Sequence, residues 1–207
     1  LAKFKQELKE NFHYKVVDVE GAEADDVIAV LTTSNIKKQN VLIVSSDGDF
    51  MQLQQLNSNS KYKVKQYNPI MKKYVTSENP QAELKEKIIR GDSSDNVMSA
   101  YPGVRKKKLQ EAYQNMDVRG YAWNNLMLSK WADHENIDHR VKDDYERNRI
   151  LIDLTMQPAD LIDKFDLTIA ESVLTEHGHQ MLANWLEMCG DKGARGRAVG
   201  LSPVVGR

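Results

Sequence analysis

Seven acidic residues fall into three short clusters, and carboxylates this close together repel one another unless something neutralises them. The clusters lie in GAEADDVIAV (residues 21–30), in VLIVSSDGDF (41–50) and in GDSSDNV (91–97). Clustered carboxylates raise one another's pKa unless a cation is bound among them. The residues are Glu23, Asp25, Asp26, Asp47, Asp49, Asp92 and Asp95.

Carboxylate ligands without matching His or Cys favour a hard ion, Mg²⁺ or Mn²⁺, over zinc. Two such ions roughly 4 Å apart activate water and stabilise the leaving oxygen in phosphodiester hydrolysis. The three clusters together therefore predict a metal site that contains all seven acids.

Each cluster also has a plain structural explanation. Acids in the first turn of a helix interact favourably with its dipole, which would account for Glu23, Asp25 and Asp26. Asp-Gly-Asp after a strand is a common turn, and Asp92 with Asp95 could cap a following helix. It is the occurrence of all three clusters beside a basic segment that favours metal binding over capping.

The elements around the first two clusters predict a βαβ unit. YKVVDVE (14–20) has the pattern of a strand, residues 22–33 that of a helix, and VLIVSS (41–46) that of a buried strand. Ligands of parallel sheets sit outside the carboxyl ends of the strands. The first two clusters should therefore meet at one edge of the sheet.

The rest of the chain divides near residue 80. Residues 61–69 and 71–75 predict a hairpin or edge strand with a lysine face, and helices should follow from residue 82. We expect an α/β core over residues 1–80, a helical lobe over 81–190 and a loosely ordered tail over 191–207. The predicted core of the helical lobe comprises Trp123, Leu126, Met127, Trp131, Ile150, Leu151 and Leu154.

Charge is distributed unevenly along the 207 residues, whose net charge is -1. Residues 1–60 carry six basic against nine acidic side chains, residues 61–108 twelve against five, and residues 109–207 eleven against sixteen, so the segments sum to -3, +7 and -5. A basic middle between acidic clusters suggests a polyanion held near metal-binding carboxylates. No apolar run is long enough for a membrane span, and one cysteine suits a reducing compartment, so we expect a cytoplasmic protein without a membrane partner.

The segment AYPGVRKKKLQ (100–110) predicts contact with the nucleic-acid backbone. A Pro-Gly turn would present backbone N–H groups and a helix N-terminus to a phosphate, as in a helix-hairpin-helix motif. Such contacts are independent of base sequence and sensitive to salt. A solvated, lysine-rich helix start would explain the same residues, which are Gly103, Val104, Arg105, Lys106, Lys107 and Lys108.

Three motifs in this order and at these separations, GAEADDVIAV, SSDGDF and IIRGDSSDNV, resemble the 5′ nuclease (flap endonuclease) family. YNPIMKKYV and YERNRILIDL are similar to its phage branch, the T-even type of ribonuclease H. The resemblance covers about residues 10–155.

This resemblance implies a PIN-like (Rossmann-like) parallel-sheet α/β core joined to a helical DNA-binding lobe. The implied activity is hydrolysis of 5′ ends, flaps and RNA primers with two Mg²⁺ ions, together with a K⁺ ion at the hairpin. The implied catalytic residues are those of the EADD and DGD motifs, and the GDxxDN acids are implied metal ligands. Branched or nicked duplex DNA, RNA–DNA hybrids, and a single-strand binding protein or sliding clamp are the implied partners.

Members of the family begin with a strand that carries an Asp, and no such strand precedes residue 1. We therefore expect a core incomplete at its N-terminus, and a chain that is inactive by itself. Two other hypotheses stay open at this point: a non-catalytic DNA-binding module, and a PIN-like nuclease that cleaves RNA. Cleavage that requires Mg²⁺ would exclude the first, and a preference for single-stranded RNA would favour the second.

Overall fold

A computed structural model describes residues 3, 4, 8, 16–114 and 120–170 of the chain, with side chains up to residue 165. Its described residues divide into two compact units. The first unit comprises the residues up to Met51, Leu56–Thr76 and the residues from Gln157 on, and the second comprises Gln52–Gln55 and Ser77–Met156.

The first unit contains a three-stranded sheet in the order β1-β2-β3. Strand β1 (Val41–Val44) pairs with β2 (Val64–Asn68) in parallel, and β2 pairs with β3 (Lys73–Val75) in antiparallel orientation. A 3₁₀ helix (Asp49–Ser58) lies between β1 and β2 in the chain. The predicted α/β class and the hairpin after residue 61 are confirmed, but the sheet is mixed and its parallel pair is β1 with β2, not residues 14–20 with β1.

Helix α1 (Ala24–Asn35) precedes β1 and places its acidic end before its apolar stripe. Val27 and Val30 on this stripe pack with Val19 and with Phe165 of helix α6 (Ala159–Ala170). Burying aliphatic side chains of this size contributes about 1.5–3 kcal/mol each. This small core fixes the acidic end of α1 within the first unit.

The strand predicted over residues 14–20 is wrong for its described part, because residues 16–20 belong to no strand. Val19 is buried against α1, so its side chain finds an apolar environment without a strand partner. Its carbonyl accepts a hydrogen bond from the Ala22 amide at 3.1 Å and starts the turn into α1. The parallel pair of the sheet is therefore β1 with β2, and the predicted βαβ unit around α1 is absent from the described residues.

The second unit consists mainly of helices. They are α2 (Pro80–Arg90), α3 (Lys106–Gln114), α4 (Tyr121–Met127) and α5 (Val141–Ile152), with a hairpin of β4 (Lys130–Ala132) and β5 (Asp138–Arg140) before α5. Asn79 caps α2 by accepting a hydrogen bond from the Ala82 amide at 3.0 Å, and Pro80 occupies the first turn, where its missing N–H is not needed. The buried core of the unit comprises Leu84, Ile88, Ile89, Ala100, Leu109, Ala112, Leu126, Tyr145 and Ile152.

Part of the predicted helical core is wrong. Leu126 is buried, and Trp123 and Met127 pack against the core, but Ile150 and Leu151 are 66% and 62% exposed. The buried face of α5 contains Asp144 and Asn148 beside Val141, Tyr145 and Ile152, and it leaves out Ile150 and Leu151. The predicted tail (191–207) and most of the predicted first helix (3–12) lie outside the described residues. No helix in the described part of the chain has the length and apolar character needed to cross a bilayer.

Candidate active site

The first acidic cluster forms the N-terminus of α1. Glu23 is the N-cap residue, and Asp26 closes a capping box by accepting a hydrogen bond from the Glu23 amide at 2.9 Å. The second carboxylate oxygen of Asp26 accepts a hydrogen bond from Gln157 Nε2 at 2.7 Å. Both carboxylate oxygens of Asp26 thus accept hydrogen bonds. The neighbouring Asp25 is half-buried.

The second cluster follows β1 directly. Asp47 Oδ1 accepts a hydrogen bond from the Asp49 amide at 2.9 Å, which starts the 3₁₀ helix. The amide of Asp47 donates to Ser45 Oγ at 3.1 Å. These local bonds form a compact turn that leaves the Asp47 side chain exposed and the Asp49 side chain half-buried at the carboxyl end of the strand.

Two buried side chains of the neighbouring strand β2 hold this turn in place. Gln66 Nε2 donates to the carbonyls of Ser45 and Asp47, at 3.0 and 2.5 Å, and Asn68 Nδ2 approaches the Ser46 carbonyl at 3.5 Å. Gln66 is 1% exposed and Asn68 is 7% exposed. Sequence reasoning missed both residues, although two amides at alternate positions of an otherwise buried strand could have indicated them.

The electrostatics of Asp25 show that the structure brings the two clusters together. Burial is the largest cause that raises the pKa of Asp25, and the charges of Asp47 and Asp49 are the next largest, ahead of those of Glu23 and Asp26. Four carboxylates from the start of α1 and the end of β1 therefore act on Asp25. Such a site favours an added positive charge, because each ionised neighbour makes the ionised form of Asp25 less stable.

The donor set fits a hard divalent ion. All five side chains of this cluster offer carboxylate oxygen, the ligand type that Mg²⁺ and Mn²⁺ prefer. The two clusters come from a helix start and a strand end, which the packing of α1 and the amides of β2 fix in position.

The third cluster lies in the second unit, in a closed loop after α2. Asp92 and Val97 form an isolated antiparallel bridge, with N···O distances of 2.9 and 2.8 Å. Gly91 has φ +74°, and a Cβ atom there would lie 2.3 Å from the Val97 carbonyl oxygen. Only glycine fits this position, which explains the first residue of the GDSSDN motif.

Asp92 is held as a carboxylate by partners in its own unit. Lys87 Nζ lies 2.6 Å from Asp92 Oδ2, and the amide and hydroxyl of Ser94 both donate to Oδ1. The hydrogen bond from Lys87 is the main cause that lowers the pKa of Asp92, from 3.8 to about 2. Asp95 is exposed in the turn. The alternative that these two acids cap the next helix is wrong, because α3 begins only at Lys106.

Asn148 of α5 holds this loop in place through two hydrogen bonds. Its Nδ2 donates to the carbonyl of Ile88, at the end of α2, at 3.0 Å and to that of Met98, after the loop, at 2.7 Å. Asn148 is 0% exposed. It is a third positioning residue that sequence reasoning missed, and a polar residue on the buried stripe of a helix was the available signal.

The predicted DNA-binding residues lie at the turn before α3 and in its first turn. Gly103 has φ +70° in an open turn, and all four basic side chains from Arg105 to Lys108 are exposed. Lys108 Nζ lies 5.0 Å from the centre of the Tyr101 ring, and Lys107 lies 4.0 Å from Glu111. Residues 91–105 separate α2 from α3, so the predicted helix-hairpin-helix geometry stays a prediction.

Comparison with known proteins finds similarity to an exonuclease family model and to a phage ribonuclease H. Residues 2–88 match the model of a family described as 5′-3′ exonuclease, N-terminal resolvase-like domain. A ribonuclease H of Enterobacteria phage T4 is 43% identical over 96 residues, which make up 45% of this chain and 30% of the phage protein. The matched stretch is thus under a third of that relative's length.

A solved structure supports the fold. The chain is similar to the T5 D15 protein, which was co-crystallized with metal ions, with a TM-score of 0.54, 20% sequence identity, and coverage of 83% of this chain and 71% of that chain. At this identity the likeness concerns the fold alone. The resemblance predicted from the three acidic motifs is confirmed: residues 2–88 match the 5′-3′ exonuclease N-terminal resolvase-like domain, and part of the chain is similar to the ribonuclease H of phage T4.

Proposed function

We propose that this chain is part of a Mg²⁺-dependent, structure-specific 5′ nuclease that hydrolyses phosphodiester bonds in 5′ flaps and RNA primers. The observation that carries the proposal is the convergence of Glu23, Asp25, Asp26, Asp47 and Asp49, seen in the raised pKa of Asp25. These residues lie within the segment that matches the exonuclease family.

The side chains of this cluster would hold two divalent ions, whose chemistry is to activate water and to stabilise the leaving oxygen. The charges of Asp47 and Asp49 raise the pKa of Asp25 more than those of Glu23 and Asp26 do. Asp26 orients the helix start through its bonds to Glu23 and Gln157. Gln66 keeps the turn after β1 in the conformation that presents Asp47 and Asp49.

Substrate binding belongs to the same proposal. The exposed basic run from Arg105 to Lys108 would contact the phosphates of branched or nicked duplex DNA, with K⁺ as a candidate ion at this turn. Asp92 and Asp95 in the second unit stay predicted metal ligands, and a single-strand binding protein or sliding clamp stays a predicted partner.

Cleavage of a 5′-flap duplex, and of an RNA primer on DNA, tests the proposal with Mg²⁺ and with a chelator. Both the 207-residue chain and a version extended upstream should be assayed, because the matched stretch covers 30% of the phage T4 relative. Asp49→Asn should abolish cleavage that depends on Mg²⁺. Asp163→Asn removes the same charge from an exposed position of α6 and should cleave like the unmodified protein.

A thermal-shift measurement gives a readout besides activity. Mg²⁺ should raise the melting temperature, because an ion that binds only the folded state stabilises it. Asp25→Asn should melt higher than the unmodified protein in chelator, since it removes a destabilised charge, and should respond less to Mg²⁺. Tight DNA binding by both versions without any cleavage would instead select the non-catalytic DNA-binding module.

A further inference from the structure

Gln157 brings a distant part of the chain to the first acidic cluster. Its Nε2 donates to Asp26 Oδ1 at 2.7 Å, across 131 positions of sequence, and both side chains are half-buried. This length is at the short end for an N–H···O bond and is typical of a donor to an ionised carboxylate. Both residues belong to the first unit, although Gln157 lies outside residues 2–88, which match the exonuclease family model.

The other oxygen of Asp26 fixes the start of α1. Asp26 Oδ2 accepts a hydrogen bond from the amide of Glu23 at 2.9 Å, which closes the first turn of the helix. A carboxylate that is bound at both oxygens is constrained in its orientation. Asp25 is the preceding residue, and Asp26 is among the carboxylates whose charges raise the pKa of Asp25. The two hydrogen bonds of Asp26 therefore constrain the turn of backbone that carries Asp25.

Apolar packing already attaches α6 to α1, so the bond from Gln157 is not needed for that purpose. Phe165 of α6 is 0% exposed and belongs to the same buried cluster as Val27 and Val30 of α1. Pro158 follows Gln157 and confines its backbone to extended conformations. The Gln157 side chain thus reaches Asp26 from a restricted backbone next to a packed pair of helices.

An amide is a donor that suits an acidic metal site. A Lys or Arg at this position would also bind the carboxylate, but its charge would neutralise part of the cluster and compete with a cation. A Gln side chain carries no net charge, so it holds the carboxylate in place and leaves the negative charge of the cluster for an ion. Removing a polar group that orients the ligands of a metal commonly lowers metal affinity by about 10–100-fold.

We infer that Gln157 is a positioning residue for the proposed metal site. It fixes the carboxylate of Asp26, and Asp26 holds the first turn of α1 so that Asp25 stays among the other acids. In this role Asp26 acts through its two hydrogen bonds, and the other four acids of the cluster hold the ions. The inference rests on the proposed function, because it assigns a residue to the metal site of that nuclease.

Mn²⁺ is a spectroscopic probe for this site, because electron paramagnetic resonance distinguishes the free ion from the bound ion. Both the 207-residue chain and the version extended upstream should be titrated. Gln157→Met keeps an unbranched side chain of similar length and removes the donor, so the dissociation constant for Mn²⁺ should rise on the order of tenfold or more.

The matched control is Gln39→Met, just after the other end of α1. Gln39 is also half-buried, and its Nε2 donates to Asn35 Oδ1 at 3.1 Å. This variant loses the same kind of bond and should bind Mn²⁺ like the unmodified protein. The two variants should melt at similar temperatures in chelator, so a difference between their Mn²⁺ affinities reports on the metal site and not on stability.

An exchange of the two interacting groups separates positioning from direct coordination. Asp26→Asn alone leaves one oxygen for two donors, so one hydrogen bond is lost and Mn²⁺ should bind more weakly. Asp26→Asn with Gln157→Glu restores both bonds, because the amide at residue 26 accepts from Glu23 and donates to the carboxylate at residue 157. The exchange also keeps the total charge, and it should recover most of the lost Mn²⁺ affinity.

Each outcome separates this inference from the proposed function. Equal Mn²⁺ affinities of Gln157→Met and Gln39→Met would overturn the inference and leave the proposed metal site in place. A double variant as weak as Asp26→Asn alone would also overturn it, because Asp26 would then bind the ion itself. Mn²⁺ binding that depends on Gln157, without cleavage of any flap or primer, would refute the nuclease function and keep the inference. Absence of Mn²⁺ binding in both versions of the protein would refute both.

Discussion

Gly91→Ala should destabilise the second unit far more than Gly103→Ala, although both glycines have nearly the same φ, +74° and +70°. The two positions differ in their surroundings. A Cβ atom at residue 91 would lie 2.3 Å from the Val97 carbonyl oxygen and 2.6 Å from the Met98 carbonyl carbon, whereas a Cβ atom at residue 103 would have nothing within 4 Å. The neighbours of residue 91 are backbone atoms, so no side-chain rotation relieves the overlap.

The magnitudes follow from these contacts. At residue 103 a positive φ with a Cβ atom costs about 1–2 kcal/mol, partly offset by about 0.4–1 kcal/mol from the reduced entropy of the unfolded chain. At residue 91 the backbone (φ +74°, ψ -177°) lies in a region that is essentially confined to glycine and costs about 1–3 kcal/mol. Displacing Val97 also breaks the two bridge hydrogen bonds to Asp92, at about 1 kcal/mol each. We expect a loss of about 3–5 kcal/mol at residue 91 and about 1 kcal/mol at residue 103.

Urea unfolding followed by tryptophan fluorescence measures this difference. Trp123 and Trp131 lie in the second unit, so a background with Trp185→Phe makes the signal specific to that unit. Asp92 and Asp95 lie on the loop that Gly91→Ala displaces, so any cleavage that depends on them should fall as well. Equal destabilisation by the two substitutions would refute the steric reasoning.

Two further predictions concern the support and the charge of the same loop. Asn148→Ala should cost about 2–4 kcal/mol, because the buried carbonyl of Ile88 and the partly buried carbonyl of Met98 lose their donor. Asn124→Ala at an exposed helix position should change the free energy of unfolding by less than about 0.5 kcal/mol, and equal effects in urea unfolding would contradict this reasoning. The pKa of Asp92 lies below its ordinary value, so its stabilising contribution should be complete above pH 3.8 and should vanish as the pH falls to about 2. The difference in unfolding free energy between the unmodified protein and Asp92→Asn, measured across that range, should therefore shrink towards low pH. Lys87→Met should weaken this pH dependence. A difference that is constant with pH would contradict the assignment.

Local patterns were enough to predict several elements. The acidic start of α1, the strand β1 and the hairpin of β2 and β3 all follow from short-range periodicity and turn residues, which act within a few positions of the chain, although of β1 only Ile43 is buried. The grouping of the first two acidic clusters was also predicted and agrees with the charges that act on Asp25, although the predicted reason, a strand over residues 14–20 parallel to β1, is wrong for the described residues.

Where prediction failed, the deciding contacts lie far apart in sequence. Residues 16–20 have the composition of a strand, yet Val19 is buried against α1 and Phe165 without a strand partner. On α5 the apolar residues Ile150 and Leu151 face outward, because the buried stripe contains Asn148, whose amide reaches Ile88 and Met98. Hydrophobic periodicity cannot detect a buried polar residue whose partners come from other elements.

The sequence by itself determined which residues could bind metal or phosphate, since the type and spacing of carboxylates and lysines indicate that chemistry. Only the tertiary structure decided the hydrogen-bond partners and the electrostatic surroundings of each residue. It gave Asp26 two donors, lowered the pKa of Asp92 through Lys87 and raised that of Asp25 through burial and its neighbours. The physical reason is that hydrogen bonds, desolvation and charge interactions depend on distances in space, and the folded chain sets those distances.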